Sequence, residues 1–153
     1  MVNFTEDYKL RVADGANVAE RECIKYLNKK DDIYYTKFGF DEVKSNVPSK
    51  WFFKIPSTLR SCPDYLIIKD TTSFLEAKGY RDCLKVKEHD IKGYKFWDNI
   101  VPLYFFLYNC DVSEYDVLPF SRLLELIEGS ETERYPDNNK LYYKVIVRSE
   151  NER

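Results

Sequence analysis

Histidine is almost missing: His89 is the only one in 153 residues. Ser-His or Cys-His nucleophilic chemistry would have to use it, and a structural role is the plainer reading of a lone histidine. The four cysteines, Cys23, Cys62, Cys83 and Cys110, are scattered and form no Cys-x-x-Cys pair. That spacing argues against a zinc site or a disulfide framework and suits reduced, mostly buried thiols of a cytoplasmic protein. No apolar run approaches the roughly 20 residues of a membrane-spanning helix. The first residues, Met1 to Asp7, lack a basic stretch leading into an apolar one, so no secretory leader is expected. Internal repeats and low-complexity linkers are missing too.

What is present describes a folded chain. Hydrophobic residues make up 44% and aromatics 16%, enough apolar surface for a core, and the length suits one domain over residues 1–153. The net charge of −2 speaks mildly against a nucleic-acid partner, but its distribution does not. Residues 44–95 carry 11 Lys/Arg and 6 Asp/Glu, while the segments on either side are net acidic. Such a segment suits the approach of a polyanion, and it equally suits a solvated surface with a chance excess of lysine.

The basic segment contains the most informative stretch, Arg60 to Tyr80. Two apolar runs, Tyr65 to Ile68 and Phe74 to Leu75, flank a polar Lys-Asp-Thr-Thr-Ser turn, which predicts a β-hairpin. At its open end stand Asp64 on one strand and Glu76 and Lys78 on the other. Charges gathered at a strand end are costly unless paired or metal-bound, and carboxylate oxygens suit a hard ion such as Mg²⁺. Faces alternate with period two, so the three share a face only if facing residue numbers have an even sum. The expected register sets Asp64 opposite Lys78 and Leu66 opposite Glu76. Its loop has three or five residues centred on Thr71, or contains a bulge.

Upstream, a helix is predicted from Val18 to Lys29, entered through Asp14-Gly15 with Asn17 as its cap. At helical spacing Ala16, Ala19, Cys23, Ile24, Tyr26 and Leu27 form an apolar stripe, and Glu20 falls inside it. A glutamate aimed inward is the kind of residue a metal site recruits. Asn17-x-x-Glu20 also has capping-box spacing, under which Glu20 simply closes the helix start.

Pro63-Asp64 followed by Glu76-Ala77-Lys78 resembles the PD-(D/E)XK nuclease superfamily. Gly15, Glu20-Arg21-Glu22 and Leu27 resemble the first helix of the archaeal Holliday-junction resolvases within it. The resemblance covers roughly residues 15–108 and implies an α/β fold with a restriction-endonuclease-like αβββαβ core, a central mixed sheet flanked by helices. Residues 109–153 are then a C-terminal helix-strand extension. It also implies catalysis by Asp64, Glu76, Lys78 and Glu20. Asp64, Glu76, the Ala77 carbonyl and Glu20 would hold Mg²⁺, with Mn²⁺ as a substitute, and Lys78 would position the attacking water. DNA is the implied substrate ahead of RNA, with branched DNA suggested by the first helix, and such resolvases act as two-fold homodimers.

Pattern alone assigns the remaining elements. Ile33 to Phe40 and Trp51 to Ile55 are aromatic and β-branched, as strands are, with a polar loop from Asp41 to Lys50 between them. Lys44, Lys50, Lys54, Arg60, Arg81, Lys85 and Lys87 are candidate phosphate contacts around the hairpin. Gly79 is expected to end the hairpin's second strand. A helix from Val86 to Ile100 buries Val86, Gly93, Tyr94, Trp97 and Ile100, with His89 and Asp90 at the edge of that face. Val101 to Tyr108 reads as a central strand buried on both faces and, through a β-α-β crossover, parallel to the Glu76-Lys78 strand. Pro119 to Glu128 is a short amphipathic helix stopped by Gly129, Glu131 to Asn139 a polar loop, and Leu141 to Val147 a late edge strand. Heavy use of Lys, Tyr and Asn is compatible with a phage or mobile-element source. A second reading stays open: a catalytically inactive protein of the same fold, binding nucleic acid or other proteins through its 13 tyrosines.

Overall fold

The computed structural model describes residues 18–40 and 45–148. Lys44 and the helix-entry residues Asp14, Gly15, Ala16 and Asn17 lie outside that range. Helix α1 covers 18–28. It is followed by β1 (Tyr34–Lys37), α2 (Ser49–Phe52), α3 (Ser57–Arg60), β2 (Tyr65–Ile68), β3 (Thr72–Tyr80), β4 (Leu84–Lys87), α4 (Glu88–Asp98) and β5 (Leu103–Asn109). The last part of the chain adds β6 (Glu114–Pro119), α5 (Phe120–Glu128), β7 (Glu131–Arg134) and β8 (Leu141–Val145).

Five strands form a mixed sheet in the order β1-β2-β3-β5-β6. All neighbours run antiparallel except β3 and β5, which are parallel because α4 carries the chain back between them. The α-β-β-β-α-β order expected of the core is present, with α2, α3 and β4 interposed. The Asp98 carboxylate accepts the Leu103 N–H at 2.9 Å and so ties the end of α4 to the start of β5.

Two apolar layers cover the sheet. On one face α1 packs Ala19, Cys23 and Leu27 against Tyr65, Ile67, Leu75 and Phe106. On the other, α4 and α5 set Tyr94, Trp97, Phe120, Leu123 and Ile127 against Phe74, Leu103, Phe105 and Leu107. This alternation along β3 is the period of two at work: Phe74 belongs to the α4 layer and Leu75 to the α1 layer. The C-terminal segment contributes α5 and Val145 to the same α4 layer.

Several expectations need correction. Trp51 to Ile55 is no strand: Trp51 and Phe52 belong to α2, and Pro48 and Pro56 each stand immediately before a short helix. A proline cannot donate to a ladder, so the bracketed segment turns instead of pairing. Ile24 is half-exposed on α1 while Ala19, Cys23 and Leu27 carry its burial. Val86 belongs to β4, where Leu84 and Val86 are buried and Lys85 exposed, a strand's alternation rather than a helix start. Ile100 lies beyond α4 and is exposed. β3 continues past Gly79 to Tyr80, paired with Asn109. The stretch 131–139 contains β7, and β8 is the middle strand of a second sheet ordered β4-β8-β7, not an edge.

Candidate active site

The β2–β3 ladder pairs Ile68 with Thr72, Ile67 with Ser73, Leu66 with Phe74 and Tyr65 with Leu75. The sum is even, as sharing a face demands, and the loop is the three residues between Ile68 and Thr72. It is centred on Asp70 rather than Thr71, so Asp64 falls opposite Glu76 and not opposite Lys78. The ladder stops at Tyr65 because the next pairing positions belong to Asp64 and to Pro63, which has no N–H. The carboxylates close this end instead. Asp64 Oδ2 accepts the Ala77 N–H at 2.8 Å, and Glu76 Oε2 accepts the Asp64 N–H at 3.2 Å.

The Asp64 main chain is held from the other side as well. Its carbonyl accepts N–H bonds from Phe38 at 2.8 Å and Gly39 at 3.2 Å, at the end of β1. Gly39 is required by this approach: a Cβ there would lie 2.7 Å from the Pro63 carbonyl oxygen. No real Cβ contact is that short, so any larger residue would push the Pro63-Asp64 peptide away.

Charges converge on this junction from four elements. Lys78 Nζ lies 3.6 Å from Glu76 Oε1. Lys37 Nζ, from β1, lies 3.7 Å from Asp64 Oδ1 and 3.8 Å from Glu20 Oε1. These are ion-pair separations, longer than hydrogen bonds. From α4, Asp90 acts on both Glu76 and Lys78, and the Lys78 ammonium lies 5.6 Å from the centre of the Tyr94 ring.

The electrostatics follow from crowding and burial. Burial raises the Asp64 carboxyl above its ordinary range, opposed by the Ala77 N–H and Lys37 and reinforced by Glu20. Glu76 is pushed well above its ordinary value by burial and then by Asp64, with Lys78 working the other way. For Lys78, burial opposes the charge, but Tyr94, Glu76 and Asp90 outweigh it and hold the ammonium well above its usual range. It is therefore a fixed cation at neutral pH. Cys23 beneath Asp64 is pushed up to about 12, by burial first and then by Asp64 and Glu20, which leaves it inert as a nucleophile.

The predicted residues thus divide into those gathered here and those elsewhere. Asp64, Glu76, Ala77 and Lys78 meet at the hairpin end, and Glu20 joins them through Lys37. Lys50 sits on α2, Arg60 on α3 and Lys54 in the turn between them, the segment leading into Asp64. Arg81 is paired with Asp111 at 3.0 Å. Lys85 and Lys87 belong to β4, with their ammonium groups near the Tyr135 ring. His89 is exposed and lies 3.0 Å from Asp90.

Two participants escape sequence reading. Lys37 has a signal: it is the single charge in the run from Ile33 to Phe40. Tyr94 has none, because a tyrosine at a buried helical position looks the same whether or not its hydroxyl has a task.

A divalent cation can be tested against these residues by donor chemistry. Asp64 and Glu76 offer hard carboxylate oxygens, and burial raises both carboxyls above their ordinary range despite the lysines beside them. That pair fits such an ion. Among the described residues no three or more His, Cys, Asp or Glu side chains form a ready metal cluster, and Lys37 stands between Glu20 and Asp64.

The chain matches no protein-family model and no curated protein. Among solved structures it is similar to a nuclease from a fusselovirus, with a TM-score of 0.41 and 11% identity over 95% of this chain and 83% of that one. A likeness this distant assigns neither family nor activity. No helix among the described residues is long and apolar enough to cross a membrane.

Proposed function

We propose that this chain is a divalent-metal-dependent nuclease of the PD-(D/E)XK type, hydrolysing phosphodiester bonds of DNA. The observation that carries the reading is the hairpin end. Two burial-strained carboxylates, Asp64 and Glu76, stand beside an ammonium, Lys78, that its neighbours keep charged. Asp64, Glu76 and the Ala77 carbonyl would hold Mg²⁺ or Mn²⁺, with Glu20 reaching it through a water. When bound, the ion supplies polarisation of the phosphate and of the attacking water.

The protein's own groups do the rest. Lys78 is a fixed cation, so it does not abstract a proton; as the water's oxygen bonds to phosphorus and the bond to the leaving oxygen breaks, the water's proton would pass to solvent and the leaving oxygen would take one from solvent. It donates to the incoming water and to a non-bridging phosphate oxygen, favouring the charge that develops there. Tyr94 and Asp90 hold the ammonium in place, and the Ala77 N–H fixes the Asp64 carboxylate. Lys50, Lys54 and Arg60 would meet phosphates of the approaching strand. Branched DNA and a two-fold dimer are the finer form of this proposal.

One observation favours the second reading, a non-catalytic nucleic-acid-binding protein: Lys37 already supplies a positive charge between Glu20 and Asp64. The experiment that separates the two is cleavage of a panel of labelled duplex, single strand, flap, four-way junction and RNA, with Mg²⁺ or Mn²⁺. The nuclease reading predicts metal-dependent cutting that Asp64→Ala and Lys78→Ala both abolish. A panel left intact with either ion, together with calorimetry showing no bound metal, leaves the binding reading in place.

A further inference from the structure

Between β1 and β2 the chain makes a detour through α2 and α3, and that detour is unlike the rest of the surface. From Val43 to Pro63 there is no Asp or Glu, although a third of the protein is charged. Within it Trp51 is 49% exposed and Phe53 59%, while the neighbouring Phe52 is buried. Two large rings are thus displayed on a segment that has a third ring with which to anchor itself: Phe52 meets Phe40 edge-on, and Trp97 Nε1–H donates to the Thr58 carbonyl at 3.0 Å.

Each displayed ring carries a cation. Lys54 Nζ sits 4.1 Å from the Trp51 ring centre and Lys50 Nζ 5.8 Å. The Arg60 guanidinium carbon lies 5.2 Å from the Phe53 ring centre, fixed by donation from Nε to the Ile55 carbonyl at 2.9 Å. Arg60 precedes Asp64 by four residues, so their Cα atoms are at most about 14 Å apart. The platform therefore borders the hairpin end.

We propose that α2, α3 and the turn between them form a docking platform for an unpaired nucleic-acid strand. Trp51 and Phe53 stack its bases, and Lys50, Lys54 and Arg60 hold its phosphates. Alternating rings and cations, with no acidic residue, complement a strand that alternates bases and phosphates. Bases within a duplex are already stacked on one another, so a duplex would use the cations and leave the rings idle. Binding at the platform is independent of the nuclease reading. Only the fate of the bound strand rests on that reading: substrates with a single-stranded portion are those delivered to Asp64, Glu76 and Lys78.

The test is binding without metal. The intact protein is titrated in EDTA with a labelled oligothymidylate of about 12 nucleotides and with a duplex of equal length. Anisotropy reports affinity, and intrinsic fluorescence reports Trp51, because Trp97 is buried. The single strand is expected to quench the wild-type fluorescence. Trp51→Ala and Phe53→Ala are each expected to weaken single-strand binding on the order of 10-fold and to leave duplex binding unchanged. Trp51→Phe, which keeps a stacking face, restores most of the loss, and Lys54→Gln flattens the salt dependence.

Single-strand binding within about 2-fold of wild type in both alanine variants, short of the affinity loss expected of stacking, overturns the platform. So does a complete lack of oligonucleotide binding, which would assign the surface to a protein partner. Cleavage fails separately: a chain that binds the single strand through Trp51 but cuts nothing keeps the platform and loses the nuclease. A chain that cuts while Trp51→Ala binds normally keeps the nuclease and loses the platform.

Discussion

Replacing Asp64 by asparagine should make the metal-free protein more stable at neutral pH while removing its metal site. The substitution deletes one of two like charges that share the hairpin end, and an asparagine oxygen can still accept the Ala77 N–H that Asp64 now accepts at 2.8 Å. Facing positions across a ladder put the two carboxylates about 5 to 6 Å apart, where like charges cost about 3 kcal/mol at an effective dielectric of about 20. Against this, Asp64 loses Lys37 at 3.7 Å, a pair whose lysine side chain is 43% exposed. Solvent screening reduces such a pair to about 1 kcal/mol. The net gain is about 1 to 2 kcal/mol, or about 3 to 6 °C in Tm for a domain of this size.

The pH dependence fixes the sign. Asp64 and Glu76 both titrate higher in the folded protein than in the unfolded chain. The folded state therefore holds more protons between the two values, and wild-type stability falls as pH rises through that window. The advantage of Asp64→Asn should be smallest at acid pH, where both carboxyls are protonated, and should grow as pH rises through that window, read by thermal unfolding in EDTA. A variant less stable than wild type near pH 8, or an advantage that does not vary with pH, would refute the reasoning.

Three other changes probe the same junction. Lys37→Met should tighten Mg²⁺ or Mn²⁺ binding by calorimetry, on the order of 5- to 10-fold for about 1 kcal/mol of removed repulsion, and unchanged or weaker binding would show that Lys37 does not compete for the carboxylates. Lys78→Met should lower the cleavage rate on the order of 10² to 10³ with metal affinity not reduced, since its part is charge stabilisation in the transition state; a loss confined to metal binding would reassign it. Gly39→Ala should reduce activity and Tm together, by about 1 to 3 kcal/mol in stability, because its Cβ must displace the Pro63 carbonyl. A fully stable and active Gly39→Ala would mean the Pro63-Asp64 peptide tolerates displacement.

Local pattern makes the central parts readable from sequence. Alternation along Phe74-Leu75-Glu76 and the uninterrupted apolar run of β5 are strong signals because a sheet covered on both faces leaves little freedom. The parity of the hairpin follows from period two alone, whereas the loop centre does not: centring on Asp70 or Thr71 keeps every face the same and differs only in which residues stand opposite. Short elements fail for the same reason in reverse. Four-residue pieces such as α2, β4 and β7 carry less pattern than the packing that decides them. Exposed β7 has no apolar alternation at all and exists through its pairing with β8. Lys37 and Tyr94 reach the site only through tertiary approach, so the sequence offers at most an oddly placed charge.

The central claim is metal-dependent phosphodiester cleavage at the Asp64–Glu76–Lys78 junction. Its most direct test is a single time course on one labelled substrate with a duplex and an unpaired arm, with Mg²⁺ or EDTA, for wild type and for Glu76→Gln. Glutamine keeps the side chain's size and can still accept the Asp64 N–H. Wild type is expected to cut with Mg²⁺ only, and Glu76→Gln not at all although it folds at least as stably. Cutting that survives EDTA, or a Glu76→Gln protein as active as wild type, would contradict the claim.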